Sequence, residues 1–304
     1  MIKRTLYFGN PAYLRTANEQ LVITLPELKS GLKEEDRSTT IPIEDIGVML
    51  LDHQQITISQ ALISKLMYHN VALITCDNTH HPTGMLLNLD GNTLQSERFA
   101  SQIEASVPLK KQLWAQTVEQ KVLNQAAVLK QQASGDYQYL MKITKNIRSG
   151  DPDNIEGRAA AYYWKNIFKF SFVRDREGES PNHLLNYGYA LVRAGIARAL
   201  VGSGLLPTLG IHHRNKYNSY CLADDIMEPY RPIVDLLICE MMKQGKVNET
   251  IDKEQKQTLL QIFTQDVVLD GEKSPLLIAM QRTSASLVKC YEGTQRKIVY
   301  PEMV

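Results

Sequence analysis

Cysteine is scarce and scattered in this 304-residue chain: Cys76, Cys221, Cys239 and Cys290 lie far apart and form no CxxC pair. That argues against a zinc ribbon or a disulfide framework and fits a reduced compartment. Long hydrophobic runs are missing too. No window approaches the roughly 18 uninterrupted apolar residues of a membrane span. The opening Met-Ile-Lys-Arg-Thr-Leu-Tyr-Phe lacks the apolar core of a signal peptide. A soluble, cytoplasmic protein with no membrane partner is therefore expected. The sequence also has no GxxxxGK(S/T) loop, GxGxxG fingerprint, GxSxG elbow or HExxH helix. ATP hydrolysis, dinucleotide redox chemistry and serine hydrolysis lose their usual markers.

What is present is globular in composition, with 43% hydrophobic and 22% charged residues. The formal charge of +1 conceals an uneven distribution. Residues 1–97 carry 7 Lys+Arg against 11 Asp+Glu, whereas residues 98–148 carry 8 against 3. Residues 156–216 carry 9 against 4, and residues 217–304 carry 10 against 13. A basic middle thus sits between acidic flanks, and concentrated positive charge is what a phosphate backbone rewards.

Residues 1–96 read as a small β-rich domain. Thr5-Leu-Tyr-Phe8, Ala12-Tyr-Leu-Arg15, Gln20 to Leu25, Ile46 to Leu51, Val71 to Thr75 and Gly84 to Leu89 are short apolar or β-branched runs bounded by turn residues. Within this domain Leu62, Ile63, Leu66 and Met67 have helical spacing, and the charged stretch from Leu28 to Thr40 reads as a loop or hairpin tip. From Glu97 onward the vocabulary changes to Ala, Gln, Lys, Leu and Val, which is helical. Helices are expected within 97–146 and over 156–170, 181–202, 226–243, 252–265 and 275–292. The expected fold class is α+β: a β-rich N-terminal domain, then a larger all-helical domain over 97–304.

Three spots in the helical part could carry chemistry. In Asp153-Asn-Ile-Glu156-Gly-Arg158, Asp153 could cap a helix with Glu156 as its capping-box partner, or Glu156 could serve a site. In Gly210-Ile-His212-His213-Arg214-Asn-Lys216, adjacent cations would lower an imidazole's pKa and leave a neutral nitrogen free to ligate; a plain polar loop is the alternative. In Asp224-Asp225-Ile-Met-Glu228-Pro229, Asp225 and Glu228 share a face, either as helix-start acids or around a cation. Taken together, Glu156, His213, Asp225 and Glu228 make an oxygen-rich set with one nitrogen, suited to Mn²⁺ or Mg²⁺. Arg158, Arg174, Arg176, Arg214 and Lys216 surround it in sequence as candidate DNA-binding residues, the pairing that phosphodiester chemistry uses.

These residues resemble the CRISPR-associated adaptation integrases, the metal-binding catalytic subunits of spacer-acquisition complexes. The resemblance runs through Asn154-Ile-Glu156-Gly157, Leu185-Asn-Tyr-Gly-Tyr-Ala-Leu191, Gly210-Ile-His-His213 and Leu222-Ala-Asp-Asp-Ile-Met-Glu-Pro-Tyr-Arg-Pro232. The run from His212 to Asn218 resembles the type II branch. The resemblance implies Glu156, His213 and Glu228 as metal ligands, with Asp225 as a supporting acid. It further implies a homodimer formed through the N-terminal sheets. Two such dimers would clamp a small, ferredoxin-like dimeric second adaptation protein in a heterohexamer. The assembly would join the 3′-hydroxyl ends of a double-stranded prespacer DNA to CRISPR repeat DNA by transesterification.

Two other readings keep part of this picture. One is a metal-dependent nuclease of branched-DNA repair, using the same ligands with water as nucleophile. The other is a non-catalytic helical DNA-binding scaffold whose acids only start helices. Elsewhere, Trp114 and Trp164 are expected as core anchors, His80 and His81 as turn residues, and Cys221 and Cys239 as small buried groups.

Overall fold

The computed structural model describes residues 3–26, 38–168 and 170–303. It divides into two compact units, Met1–Gly91 and Asn92–Val304.

Among its described residues the first unit contains two four-stranded sheets and one α-helix. In the first sheet, β1 (Arg4–Phe8), β5 (Ile46–Leu51) and β7 (Ala72–Cys76) run parallel, and β8 (Pro82–Leu86) closes the order β1-β5-β7-β8 antiparallel to β7. Strand β5 reads Ile-Gly-Val-Met-Leu-Leu and is buried almost throughout, the continuous apolar run of an interior parallel strand. The second sheet has the order β4-β3-β2-β6 and contains β2 (Ala12–Ala17), β3 (Gln20–Thr24), β4 (Ser38–Pro42) and β6 (Ile56–Ile58). In β2, Ala12 and Leu14 point inward while Tyr13 and Arg15 face out, the alternation of a half-buried strand. Helix α1 (Gln60–Tyr68) starts where the Ser59 hydroxyl accepts from the Leu62 N–H, and it buries Leu62 and Leu66. One core draws on both sheets and α1, through Leu14, Leu21, Ile41, Met49, Leu66 and Leu73.

Three strands depart from the sequence expectation, one of them being the three-residue β6, which was not among the expected runs. Part of the stretch expected as loop is strand β4, whose register along β3 runs from Gln20 opposite Pro42 to Thr24 opposite Ser38. Its exposed Thr39 and Thr40 gave no apolar signal; the rest of that stretch, 28–37, lies outside the described residues. Strand β8 stops at Leu86, so Leu89, expected at its end, is 92% exposed.

The second unit is dominated by helices: α2 (Gln95–Glu104), α3 (Val107–Gln131), α4 (Tyr137–Thr144), α5 (Ile155–Asn166), α6 (Asn182–Gly202), α7 (Cys221–Met227), α8 (Arg231–Lys243), α9 (Lys253–Leu260) and α10 (Leu276–Tyr291). It is not all-helical. Strands β9 (Asp266–Leu269) and β10 (Glu272–Pro275) pair antiparallel, with Leu269 opposite Glu272. The two residues between them, Asp270 and Gly271, both have positive φ, at 52° and 77°. An Asp-Gly pair is the standard solution for that tight hairpin turn. Four-residue strands beside strongly helical neighbours leave too short a pattern to stand out. None of the described helices is long and apolar enough to cross a membrane.

Helix α6 is buried along most of its 21 residues, so it must pack on several sides at once. Gly188 makes that approach workable: a Cβ there would lie 2.4 Å from Val234 Cγ1 on α8. Alanine would gain up to about 1 kcal/mol in helix propensity. Overpacking against a stiff β-branched side chain costs about 1–3 kcal/mol, so the clash wins. Gly188→Ala is expected to lower the urea midpoint of unfolding, equivalent to about 1–2 kcal/mol.

Candidate metal and phosphodiester site

Glu156 enters from the first turn of α5. The capping is done by other groups: the Asp151 carboxylate accepts from the Ile155 N–H at 2.8 Å and the Glu156 N–H at 2.9 Å, and Asn154 Oδ1 accepts from the Gly157 N–H at 3.1 Å. Asp153, expected as the cap, instead holds Arg148 through two hydrogen bonds. The capping box expected between Asp153 and Glu156 is therefore absent. With the helix start satisfied by neighbours, the Glu156 side chain is free for another task.

That task is shared with Glu228 through a residue the sequence reading did not assign to the site. Lys121 Nζ lies 2.7 Å from Glu156 Oε1 and 2.6 Å from Glu228 Oε2. Lys121 sits on the inner face of α3, between the buried Val118 and Val122. A lysine at an apolar-face position was the available signal, since a buried ammonium requires partners. Burial alone would lower its pKa, but Glu228 and Glu156 outweigh that and raise it. Glu228 follows directly on α7 and is only 6% exposed. Its other oxygen, Oε1, accepts from Arg231 Nε at 2.8 Å. Burial pushes the Glu228 carboxyl up, yet Arg231 and Lys121 overcome it and hold the group near a pKa of about 2.

His213 approaches on the turn after Gly210. Asp225, fully buried on α7, organises that turn: its Oδ2 accepts from the His212 N–H at 2.9 Å, and its Oδ1 lies 2.5 Å from His213 Nδ1. Glycine is required at 210, because a Cβ would lie 2.4 Å from the His213 carbonyl oxygen and 2.8 Å from Asp225 Oδ2. The His212 ring stacks on the buried Trp114 indole, with centroids 4.2 Å apart and planes 3° from parallel; His213 meets the same indole edge-on. Trp114 is the core anchor expected of it and also the floor of this turn. Trp164 is half-buried against Tyr163 and Phe172.

The electrostatics of the two histidines diverge. Burial, with His213 beside it, lowers the pKa of His212. The hydrogen bond to Asp225 raises that of His213 against burial. The expected lowering by Arg214 and Lys216 is thus not what governs His213, because a buried carboxylate in contact outweighs exposed cations.

Behind Glu228 the polar network continues. The Arg231 guanidinium lies 4.6 Å from the centre of the Tyr189 ring, and Arg174 lies 5.4 Å from the same ring. Tyr189 and Tyr163 donate to the two oxygens of buried Asp235 at 2.5 Å and 2.9 Å. Burial pushes Asp235 up to about 7 despite both hydrogen bonds. On α7, Asp224 is occupied by Arg193 at 2.7 Å and Asn218 at 2.6 Å.

Of the five candidate DNA contacts, Arg158, Arg176, Arg214 and Lys216 are exposed. Arg174 is half-buried and committed to the start of α6, donating to Asn182 Oδ1 at 2.9 Å and Asn186 Oδ1 at 2.7 Å.

Among the described residues no three His, Cys, Asp or Glu side chains already form a closed metal-holding set. The residues nonetheless fit a divalent cation. Two carboxylates, Glu156 and buried Glu228, converge on one position, which carries the single positive charge of Lys121. His213, with Nδ1 engaged by Asp225, keeps Nε2 as a potential ligand nitrogen.

A family model described as CRISPR associated protein Cas1 matches residues 6–270. The CRISPR-associated endonuclease Cas1 of Neisseria meningitidis is 33% identical over 287 residues, covering 94% of this chain and 91% of that protein. A casposase structure bound to integration product superposes with a TM-score of 0.79 at 20% identity, covering 98% of this chain and 92% of that one. The structure of a Cas1 protein from Thermotoga maritima does so with a TM-score of 0.73 at 16% identity, over 96% and 98% of the two chains.

The His213–Asp225 pair makes a signed pH prediction. Because folding raises the His213 pKa above its ordinary 6.5, the pair's contribution is full below about pH 6.5. It is lost as pH rises through the folded-state value. In Asp225→Asn the His213 ring should titrate at lower pH by NMR, and stability should change least at pH above the folded-state value.

Proposed function

The chain belongs to the CRISPR-associated Cas1 family, and from that premise we propose that it is a DNA strand-transfer enzyme of CRISPR adaptation. In this reading it joins the 3′-hydroxyl ends of short prespacer duplexes to repeat DNA. One phosphodiester is exchanged for another, with a 3′-hydroxyl as nucleophile. The observation that carries the proposal is the convergence of Glu156 and Glu228 on a single cationic position, Lys121.

Glu156, Glu228 and His213 would hold a Mn²⁺ or Mg²⁺ ion. A divalent ion there would polarise a scissile phosphate and stabilise charge on the departing 3′-oxygen. Asp225 fixes the tautomer and aim of His213 by taking its Nδ1 side, and the Trp114–His212 stack holds the turn against rotation. Arg231 neutralises the inner oxygen of Glu228, so the carboxylate stays ionised despite burial. The exposed Arg158, Arg176, Arg214 and Lys216 would track the DNA backbone, contributing affinity with little sequence reading; Arg174 would instead brace its loop.

The neighbouring structures support the partners. One is a casposase bound to integration product, and another a Cas6-RT-Cas1–Cas2 complex with a TM-score of 0.71 over 97% of this chain and 36% of that one. By analogy the chain would work as a homodimer through its N-terminal sheets, two dimers flanking a small dimeric Cas2-type protein. The relative's name, an endonuclease, favours hydrolysis by the same groups as a second reading. The scaffold reading has less support, because Asp151 and Asn154, not Glu156, cap α5.

The deciding experiment incubates the protein and its small partner with a 3′-hydroxyl duplex, a supercoiled repeat plasmid and Mn²⁺. Joined product is expected; cutting without joining would leave the nuclease reading. Glu156→Ala and Glu228→Ala should abolish joining while retaining DNA binding. That binding should weaken at least about tenfold between about 50 and 200 mM salt; a flat response would remove the phosphate-tracking role.

A further inference from the structure

We infer that Lys121 is the resident counter-ion of the Glu156–Glu228 pair and that a divalent cation takes its place. The inference rests on the metal-site reading above and adds what the metal-free site does with its charge.

The Lys121 ammonium lies within 2.7 Å of an oxygen from each carboxylate, and its side chain is only 12% exposed. With Arg231 on the other oxygen of Glu228, the cluster of two carboxylates, one ammonium and one guanidinium is electrically balanced without metal. A divalent cation between the same oxygens would face the ammonium at contact distance inside a largely buried site. Like charges so placed repel strongly, so ion and ammonium exclude one another.

The two basic residues differ in how firmly they are held. Arg231 donates from Nε to Glu228 Oε1 at 2.8 Å and lies over the Tyr189 ring at 4.6 Å. Lys121 reaches both carboxylates, at 2.7 Å and 2.6 Å, with a single ammonium and no ring beneath it in the pairs that hold it. A point charge on a flexible four-carbon stem is replaceable by a spherical cation in a way that a stacked, forked guanidinium is not. The lysine thus keeps two like-charged side chains together on α5 and after α7 until an ion arrives.

The test uses the full chain and Mn²⁺ alone, with affinity read by calorimetry or by the electron paramagnetic resonance of free Mn²⁺. Lys121→Met is expected to bind Mn²⁺ about tenfold or more tightly than wild type, because the competing charge is gone. Its metal-free melting temperature should fall and recover with Mn²⁺. Lys121→Arg should bind no more tightly than wild type. Glu228→Gln separates the two levels of the argument. If it weakens Mn²⁺ binding while Lys121→Met leaves affinity unchanged or poorer, the counter-ion role is overturned and the site stands. If Glu228→Gln leaves affinity unchanged, the site reading itself fails.

A wild-type measurement covers the case in which Lys121→Met does not fold. Reductive methylation of Lys121, followed by mass spectrometry, should be several-fold faster with saturating Mg²⁺ than without. No change in rate would overturn the displacement.

Discussion

Burying a carboxylate in a helical core is expensive, and the arrangement of the second unit follows from how that cost is met. Glu228 is almost fully enclosed, and removing one partner of such a buried pair typically costs about 3–5 kcal/mol. Both of its oxygens are therefore matched by positive charge, Arg231 on one side and Lys121 on the other. Each match creates its own requirement. Arg231 needs a surface, which Tyr189 supplies; Tyr189 needs a hydroxyl partner, which is Asp235; and Asp235 is shared with Tyr163 on α5. The chain of satisfied groups ends on the same helix that presents Glu156.

The scaffold around this network is built for close approach. Helix α6 passes through the interior and is buried on most of its circumference, so it carries Gly188 where α8 crosses it. The turn at 210 needs a glycine for a related reason: Asp225 can reach two backbone N–H groups only if nothing stands between. Fixing that turn from beneath with an indole and from inside with a carboxylate leaves the His213 ring aimed with little freedom. Such preorganisation is what a phosphodiester site requires if charge is to be stabilised as it develops.

Legibility from sequence was uneven. The apolar bursts of β5 and β7, the spacing in α1 and the long helical vocabulary after residue 97 were readable because each buries one face or all faces over enough residues to show a period. Strands β4 and β6, and the β9–β10 hairpin, were not, being short, partly exposed or overshadowed by helical neighbours. Among site residues, the acids and the imidazole stood out by type and spacing. Lys121 did not, because its meaning lies in oxygens contributed by residues 35 and more positions away. Arg174 looked like a surface cation and is instead held by two asparagines on the first turns of α6.

Local order alone determined the long helices and the interior strands, and which residue types could hold a cation, since periodicity and side-chain chemistry are properties of neighbours along the chain. Only the tertiary structure decided that the cap of α5 falls to Asp151 and Asn154, that Asp225 serves the histidine turn, and that Glu156 and Glu228 meet across a lysine. The reason is physical. A buried charge is tolerable only with a partner in contact, and which partner arrives depends on how α3, α5 and α7 pack, a long-range fact that no local pattern carries.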